Sequence, residues 1–475
     1  MTMADYRPSE TGQMPATPRQ NGSQDAEINA LREAVERETR AHEHTRATLA
    51  RTEAAYSKFV PRQFLSLLRT PSIMHVELGT HVEKEMTILF CDIRDFTALS
   101  ETMTPQENFR FINSYLSEME PVISRHDGII DKYIGDGIMA LFPKCTDDAL
   151  LAAIDMLAQL NIYNIGRARA GYGPVKIGIG LNTGMVMLGT VGGLNRMDST
   201  VISDSVNLAS RLEGVTKDYA APLLISEHTL YGLQDPSRYR IRLVDRILVK
   251  GKSHSQAVYE VLDADTPDDR AAKLTTLPMF EEAVACYHMR DVWRAQQIFK
   301  RCVAIAPSDQ AARLYLGRCE DVLTSGKAEG GGRGLEVAWK DEYAVGVAEI
   351  DAQHRELLSR MGQLAEAILT EDPPAAKQAM GFLADYALSH FKTEEALMRQ
   401  HHYPFSEEHV RQHRAFAEYF GRLRVEIESG KHHPLYLTFR VQLLLVDWLI
   451  NHTTQTDRHL ARFLHNLERQ GTLAP

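Results

Sequence analysis

Two groups of side chains in this sequence have the types and spacing for metal chemistry. Asp92 and Asp136 each sit at the end or turn of an apolar, strand-like run, in MTILFCDIRDFTALSE (86–101) and DKYIGDGIMALF (131–142). Either aspartate alone reads as an ordinary turn residue. Together, with no histidine or cysteine beside them, they favour a hard, oxygen-seeking Mg²⁺ or Mn²⁺, the ions that travel with phosphates, and so point to nucleotide chemistry. The second group is His354, His390 with Glu394, His409 with His413, and His452 with Asp457. The pairs 390/394 and 409/413 are four residues apart, which puts both members on one helix face turned into a bundle. The pair 452/457 is five apart and needs a bulge or a helix end to share a face. Five imidazoles and two carboxylates suit a pair of borderline ions such as iron. His401, His402, His432, His433, His459 and His465 are read as ordinary core or surface histidines.

The elements that must hold these groups are legible in part. Met86 to Phe90 is a short β-branched apolar run, followed by a polar turn in CDIRDFT. Gly-Asp-Gly at 135–137 is turn chemistry between two apolar runs, so Tyr133 to Phe142 reads as a hairpin. Thr104-Pro105-Gln106-Glu107 is a capping box with proline at the first helical position. It opens a helix to about His126 whose apolar face is Phe109, Ile112, Tyr115, Leu116 and Met119. A second helix over Asp147 to Arg169 and a strand over Val175 to Asn182 complete an α/β alternation. From Trp339 onward four long amphipathic helices are expected, at about 351–370, 374–400, 406–428 and 436–467.

Composition bounds the remainder. A chain of 475 residues holds two to four domains. Its 53 basic against 63 acidic residues, net −10, argue against a general nucleic-acid or anionic-membrane binder. No apolar run reads as a membrane span and no signal segment opens the chain, so the expected location is the cytoplasm. Five cysteines, Cys91, Cys145, Cys286, Cys302 and Cys319, lack CxxC spacing and are read as reduced thiols without a metal role. Residues 1–24 have a disordered composition. Residues 25–58 form a helix with a sparse coiled-coil seam through Ile28, Leu31, Val35 and Leu49, read as a stalk for parallel pairing. Thr266 to Leu323 is helical, and SGKAEGGGRG (325–334) is a flexible linker.

From about Phe59 to Val261 the chain resembles the class III nucleotidyl cyclases, through the two aspartate stretches, GIGLNTG (178–184), TVISDSVNLASRLEG (200–214) and VKGK (249–252). The resemblance implies a ferredoxin-like βαββαβ core with additions. It implies that Asp92 and Asp136, with the Ile93 carbonyl, bind two Mg²⁺ or Mn²⁺ ions. Asn207 and Arg211 would orient the ribose and stabilise charge on the α-phosphate, and Lys250 would anchor the terminal phosphate. Lys132 and Thr200 match the positions that read the base; a lysine donating to adenine N1 favours ATP, with GTP as the alternative. Ser203 departs from the glycine frequent at its position. Each active site in this family is shared between protomers, so a chain holding both residue sets implies a head-to-tail homodimer.

Residues 283–317 resemble one tetratricopeptide-type hairpin, with Tyr287, Ala295, Phe299 and Pro307 at suitable offsets, and read as a packing spacer because one unit makes no solenoid. The last 130 or so residues resemble bacterial hemerythrin. That resemblance implies one iron on His409, His413 and His452, another on His354 and His390, and bridges from Glu394 and Asp457, leaving an open position for dioxygen or another small ligand.

The expected organisation is therefore multidomain: a disordered tail (1–24), a helix (25–58), an α/β cyclase domain (59–263), a helical spacer (264–324), a linker (325–335) and an all-α four-helix diiron domain (336–470). The expected function is an adenylate cyclase governed by an oxygen- or redox-responsive bundle. The alternatives are a guanylate cyclase with the same sensor, or an oxygen- or iron-binding protein in which the cyclase core serves as dimer scaffold.

Overall fold

The computed structural model describes residues 21–56, 62–70, 72–193, 196–248, 255–325 and 337–469. Most of the expected N-terminal tail, the turn holding Lys250 and nearly all of the glycine-rich linker lie outside the described residues. The chain forms two units, 1–66 and 67–475. The first is dominated by α1 (Asn21–Tyr56), which starts four residues earlier than expected and exposes the seam residues Leu31, Val35 and Leu49. A short helix, α2 (Arg62–Leu67), follows it in the chain.

The second unit is built on a mixed sheet in the order β2-β3-β1-β4-β6-β8-β7, with β5 paired to β4. Its strands are β1 (His81–Ile93), β2 (Ile129–Ile134), β3 (Gly137–Phe142), β4 (Ile177–Gly193), β5 (Arg196–Ile202), β6 (Leu223–Ser226), β7 (Ile241–Leu248) and β8 (Ser255–Val261). The helices between them are α3 (Phe96–Glu101), α4 (Pro105–Arg125), α5 (Thr146–Arg169), α6 (Asp204–Tyr219) and α7 (Glu227–Gly232). The path β1-α4-β2-β3-α5-β4, with strand order β4-β1-β3-β2, is a ferredoxin-like core.

Three local expectations are corrected. β1 does not end at Phe90: pairing with β4 continues to Ile93↔Ile177, so Asp92 is a strand residue rather than part of the turn. The alternation that buries Leu89, Cys91 and Ile93 sends Asp92 to the opposite face. On α4, Phe109 is 73% exposed and Phe111 takes its place, because the buried stripe runs Phe111, Tyr115, Met119, Val122 and Ile123. The third concerns α5, which is long and apolar enough to cross a membrane by length and composition. Its apolar residues Ala149, Leu150, Ala153, Met156 and Leu157 are buried in the sheet's core, while Leu151, Ile162 and Ile165 are exposed.

Helices α8 (Pro267–His288), α9 (Val292–Ile305) and α10 (Gln310–Ser325) share that core. Phe299 and Tyr315 stack at 5.0 Å, and the Tyr315 hydroxyl donates to the Val244 carbonyl at 3.0 Å. The buried guanidinium of Arg242 bridges Glu260 (2.6 Å) and Asp309 (2.6 Å), tying β7, β8 and α10's leading turn together.

The C-terminal bundle comprises α11 (Ala348–Leu369), α12 (Pro373–Gln400), α13 (Ser406–Glu428) and a fourth helix over 434–469. That fourth helix is α14 (Pro434–Val441), a π turn (Gln442–Asp447), α15 (Trp448–His452), a second π turn (Thr453–Asp457) and α16 (Arg458–Arg469). The bundle packs directly on the sheet domain. Arg246 of β7 pairs with Asp447 at 2.7 Å, Tyr231 of α7 meets Tyr419 of α13 edge-on at 5.0 Å, and His288 stacks on Phe439 at 5.4 Å.

Candidate active site and candidate metal centre

The two aspartates of the first group meet because a strand end and a hairpin turn are pressed together. Gly135 and Asp136 form the two-residue loop of the β2–β3 hairpin, with Gly135 at φ +65°, a conformation that suits glycine. At Gly137 a side chain would begin 3.1 Å from the Cys91 carbonyl oxygen and 3.4 Å from Asp92 Oδ1, a tight contact that glycine relieves. The Ile93 amide donates to Asp136 Oδ2 at 3.3 Å. Burial, and then the neighbouring Asp92 carboxylate, push Asp136 up to about 6. Two carboxylates held against mutual repulsion fit a divalent cation, whose charge would relieve it.

These residues line a cleft of about 400 Å³ together with Asp95, Phe96, Thr97, Ala98, Glu101 and Lys217. Lys132, Thr200, Asn207 and Arg211 are not among its lining residues. Lys132 on β2 and Thr200 on β5 do meet each other, Lys132 Nζ donating to Thr200 Oγ1 at 2.7 Å. Asn207 and Arg211 lie one turn apart on α6 and are exposed. Ser203, the departure from glycine, caps that helix: its hydroxyl oxygen accepts from the amides of Ser205 (3.0 Å) and Val206 (3.3 Å). Sequence reasoning missed Arg94, which leaves the end of β1 to pair with Glu213 of α6 at 3.0 Å.

The second group converges fully. His354, His390, Glu394, His409, His413, His452 and Asp457 are all buried. They form two overlapping clusters, Glu394-His409-His413-His452 and His354-His390-Glu394-Asp457, each with ligand atoms within 4.8 Å of one another. Glu394 belongs to both. Asp457 lies 3.2 Å from His354 and 3.0 Å from His452, spanning the two sets. The five-residue gap between His452 and Asp457 is closed by the π turn Thr453–Asp457, whose additional residue brings both onto one face.

The chemistry of this donor set fits metal ions. Glu394 Oε1, His409 Nε2, His452 Nε2 and both Asp457 carboxylate oxygens are buried with no hydrogen bond, a costly state for polar atoms unless a cation satisfies them. On three of the five histidines the opposite ring nitrogen is held from outside. His390 Nδ1 meets Gln353 Oε1 at 2.8 Å, His452 Nδ1 meets Gln412 Oε1 at 2.9 Å, and His413 Nδ1 faces Glu395 at 3.3 Å. Such outer partners aim each Nε2 at the centre. Gln353, Gln412 and Glu395 escaped sequence reasoning because each acts across to another helix; their one signal is that each directly neighbours a ligand in sequence. Burial also holds His452 down, to about 4, keeping it the neutral imidazole a metal binds.

Residues 80–262 match the family model for the adenylate and guanylate cyclase catalytic domain, and residues 345–464 match that for the hemerythrin HHE cation binding domain. Residues 80–262 are thus similar to cyclase catalytic domains and residues 345–464 to hemerythrin domains. Among its relatives, an adenylate cyclase of Anabaena cylindrica is 44% identical over 241 residues, covering 50% of this chain and 48% of the relative. A terminal-differentiation specific adenylate cyclase of Dictyostelium discoideum is 36% identical over 301 residues, covering 62% of this chain and 14% of the relative. The chain therefore spans about half or less of the curated relatives it matches. A solved bacterial light-regulated adenylyl cyclase is 26% identical, with a TM-score of 0.42, over 47% of this chain and 65% of that one. The cyclase domain implies a divalent cation, and the hemerythrin domain implies iron.

Proposed function

We propose that the protein converts ATP to cyclic AMP and pyrophosphate in a head-to-tail homodimer, and that its hemerythrin domain sets the output. The observation that carries the catalytic part is the approach of Asp92 and Asp136, with Ile93, at one cleft. Two divalent cations held there would neutralise the triphosphate and lower the pKa of the ribose 3′-hydroxyl. The 3′-oxygen then bonds to the α-phosphorus in line with the departing pyrophosphate oxygen. Asn207 orients the ribose, and the Arg211 guanidinium donates to the α-phosphate oxygens as charge develops. Lys250 anchors the terminal phosphate. Lys132, steadied by Thr200, donates to adenine N1.

The shared site is supported by the division of residues seen in one chain. Among the described residues, the metal carboxylates line their cleft without Lys132, Thr200, Asn207 or Arg211, which a second protomer would bring. In the bundle His409, His413 and His452 would hold one iron ion and His354 and His390 a second, with Glu394 and Asp457 shared by both sets, and the pair would supply binding of dioxygen or another small redox-active ligand.

Turnover of ATP and of GTP by the purified protein with Mg²⁺ or Mn²⁺ tests the catalytic part. ATP should be the better substrate, and Asp136→Ala should remove nearly all turnover of either. Activity of Asp136→Ala within a few-fold of wild type would refute the assignment.

A further inference from the structure

The regulatory reading above leaves open how a bundle could reach a nucleotide site. The sequence suggests a helical spacer and a flexible linker between them, yet the two domains touch, and the point of contact adjoins the metal ligands. Asn451 precedes His452. Both are buried, and the Asn451 side-chain amide donates to Glu227, the first residue of α7. The residue before Glu227, Ser226, caps α7: its hydroxyl oxygen accepts from the Thr229 amide at 3.1 Å and its proton goes to Asn182 Oδ1 at 2.7 Å. Asn182, the asparagine of the GIGLNTG stretch, donates in turn from Nδ2 to the Ser205 carbonyl at 2.9 Å. Ser205 lies in the first turn of α6, two residues before Asn207.

We propose that this line, Asn451 to Glu227 to Ser226 to Asn182 to Ser205, buried up to Asn182, transmits the state of the diiron centre to the helix bearing Asn207 and Arg211. The inference rests on the regulatory reading and names its route.

Three features make the line a transmitter rather than incidental hydrogen bonding. It begins beside a π turn that sets the spacing of His452 and Asp457, so a change in that spacing is taken up next to Asn451. The same helix is anchored to β7 one turn earlier, where Arg246 grips Asp447 at the end of the other π turn, so α15 cannot drift from the sheet as a whole. At the far end α6 has no slack against β4. A Cβ at Gly184 would fall 2.5 Å from the Ser205 hydroxyl, and one at Gly180 would fall 2.3 Å from the Glu213 amide nitrogen. A displacement of Asn182 must therefore move α6. Glu227, Asn182 and Asn451 are positioning residues; none of them is placed on a nucleotide or a metal.

The test compares wild type, Asn451→Ala and Glu227→Ala, each loaded with iron. Three quantities are read: iron content, the ratio of cyclase activity between anaerobic ferrous and air-oxidised protein, and amide hydrogen exchange over 204–209 with iron loaded and removed. Both variants should bind two irons per chain as wild type does. A wild-type ratio in the range of about five- to hundredfold, typical of coupled sites, should collapse to about one in both. Iron should alter exchange over 204–209 in wild type and in neither variant. If Asn451→Ala loses iron because it neighbours a ligand, Glu227→Ala, in the other domain, decides the matter. A responsive wild type whose ratio and exchange change survive Glu227→Ala overturns the route while leaving the regulatory reading intact. Equal wild-type activity in every iron state, with no exchange change at 204–209, overturns both.

Discussion

Replacing Gly180 with alanine puts a methyl group where β4 and α6 are in backbone contact. The added Cβ would lie 2.3 Å from the Glu213 nitrogen, 2.7 Å from the Ala209 carbonyl oxygen and 2.8 Å from the Leu212 carbonyl carbon. Ordinary contact begins at 3.4 Å, so α6 must retreat by about 1 Å, and all three obstacles are helix backbone that no rotamer change can clear. Overpacking of this kind costs about 1–3 kcal/mol, which a domain of this size can bear while remaining folded. The functional cost is larger, because a shift of about 1 Å in groups that position reacting atoms lowers a rate by about 10²-fold. Gly180→Ala should therefore cut kcat about a hundredfold, with a smaller change in KM and unchanged iron content. Gly214 lies on the same helix with nothing within 4 Å of an added Cβ, so Gly214→Ala should leave kcat near wild type. Steady-state cyclic AMP production and thermal unfolding of both variants make the check. A folded Gly180→Ala protein with kcat within threefold of wild type would refute the claim that α6 placement limits the reaction.

Other substitutions follow from the same geometry. Lys132→Glu reverses the hydrogen-bond character presented to the base, so the ATP to GTP ratio of kcat/KM should shift toward GTP; a wild type that prefers GTP would overturn the base assignment. Asp92→Ala and Arg211→Ala should each be inactive alone, yet an equal co-expressed mixture should recover about a quarter of wild-type activity. Random pairing makes about half the dimers mixed, each with one intact site of two. No recovery despite demonstrated subunit exchange would place each site within one chain.

Local chemistry was legible where it depends on neighbours in sequence. The capping box forms as written, Glu107 Oε2 accepting from the Thr104 amide at 2.8 Å and Thr104 Oγ1 accepting from the Glu107 amide at 3.3 Å. The Gly135-Asp136 hairpin and the four bundle helices also follow from turn chemistry and from four-residue ligand spacing. The odd 452/457 spacing asked for a bulge or a helix end, and the structure supplies the bulge as a π turn. What escaped was set by tertiary partners. The length of β1 comes from pairing on both edges, with β3 and with β4. The exchange of Phe109 for Phe111 depends on how α4 lies on the sheet. The docking of the bundle through Arg246 and Asp447, 201 positions apart, leaves no trace in any window of sequence.

The most direct test of the central claim is cyclic AMP production by one iron-loaded preparation, assayed anaerobically in the ferrous form and again after air oxidation, beside a Glu394→Ala protein. The account predicts a difference of about fivefold or more between the two wild-type states. It also predicts that Glu394→Ala, lacking the carboxylate common to both ligand clusters, loses iron and shows no difference. Equal wild-type activity in both states at full iron content would contradict it, and would make the bundle an independent oxygen or iron binder.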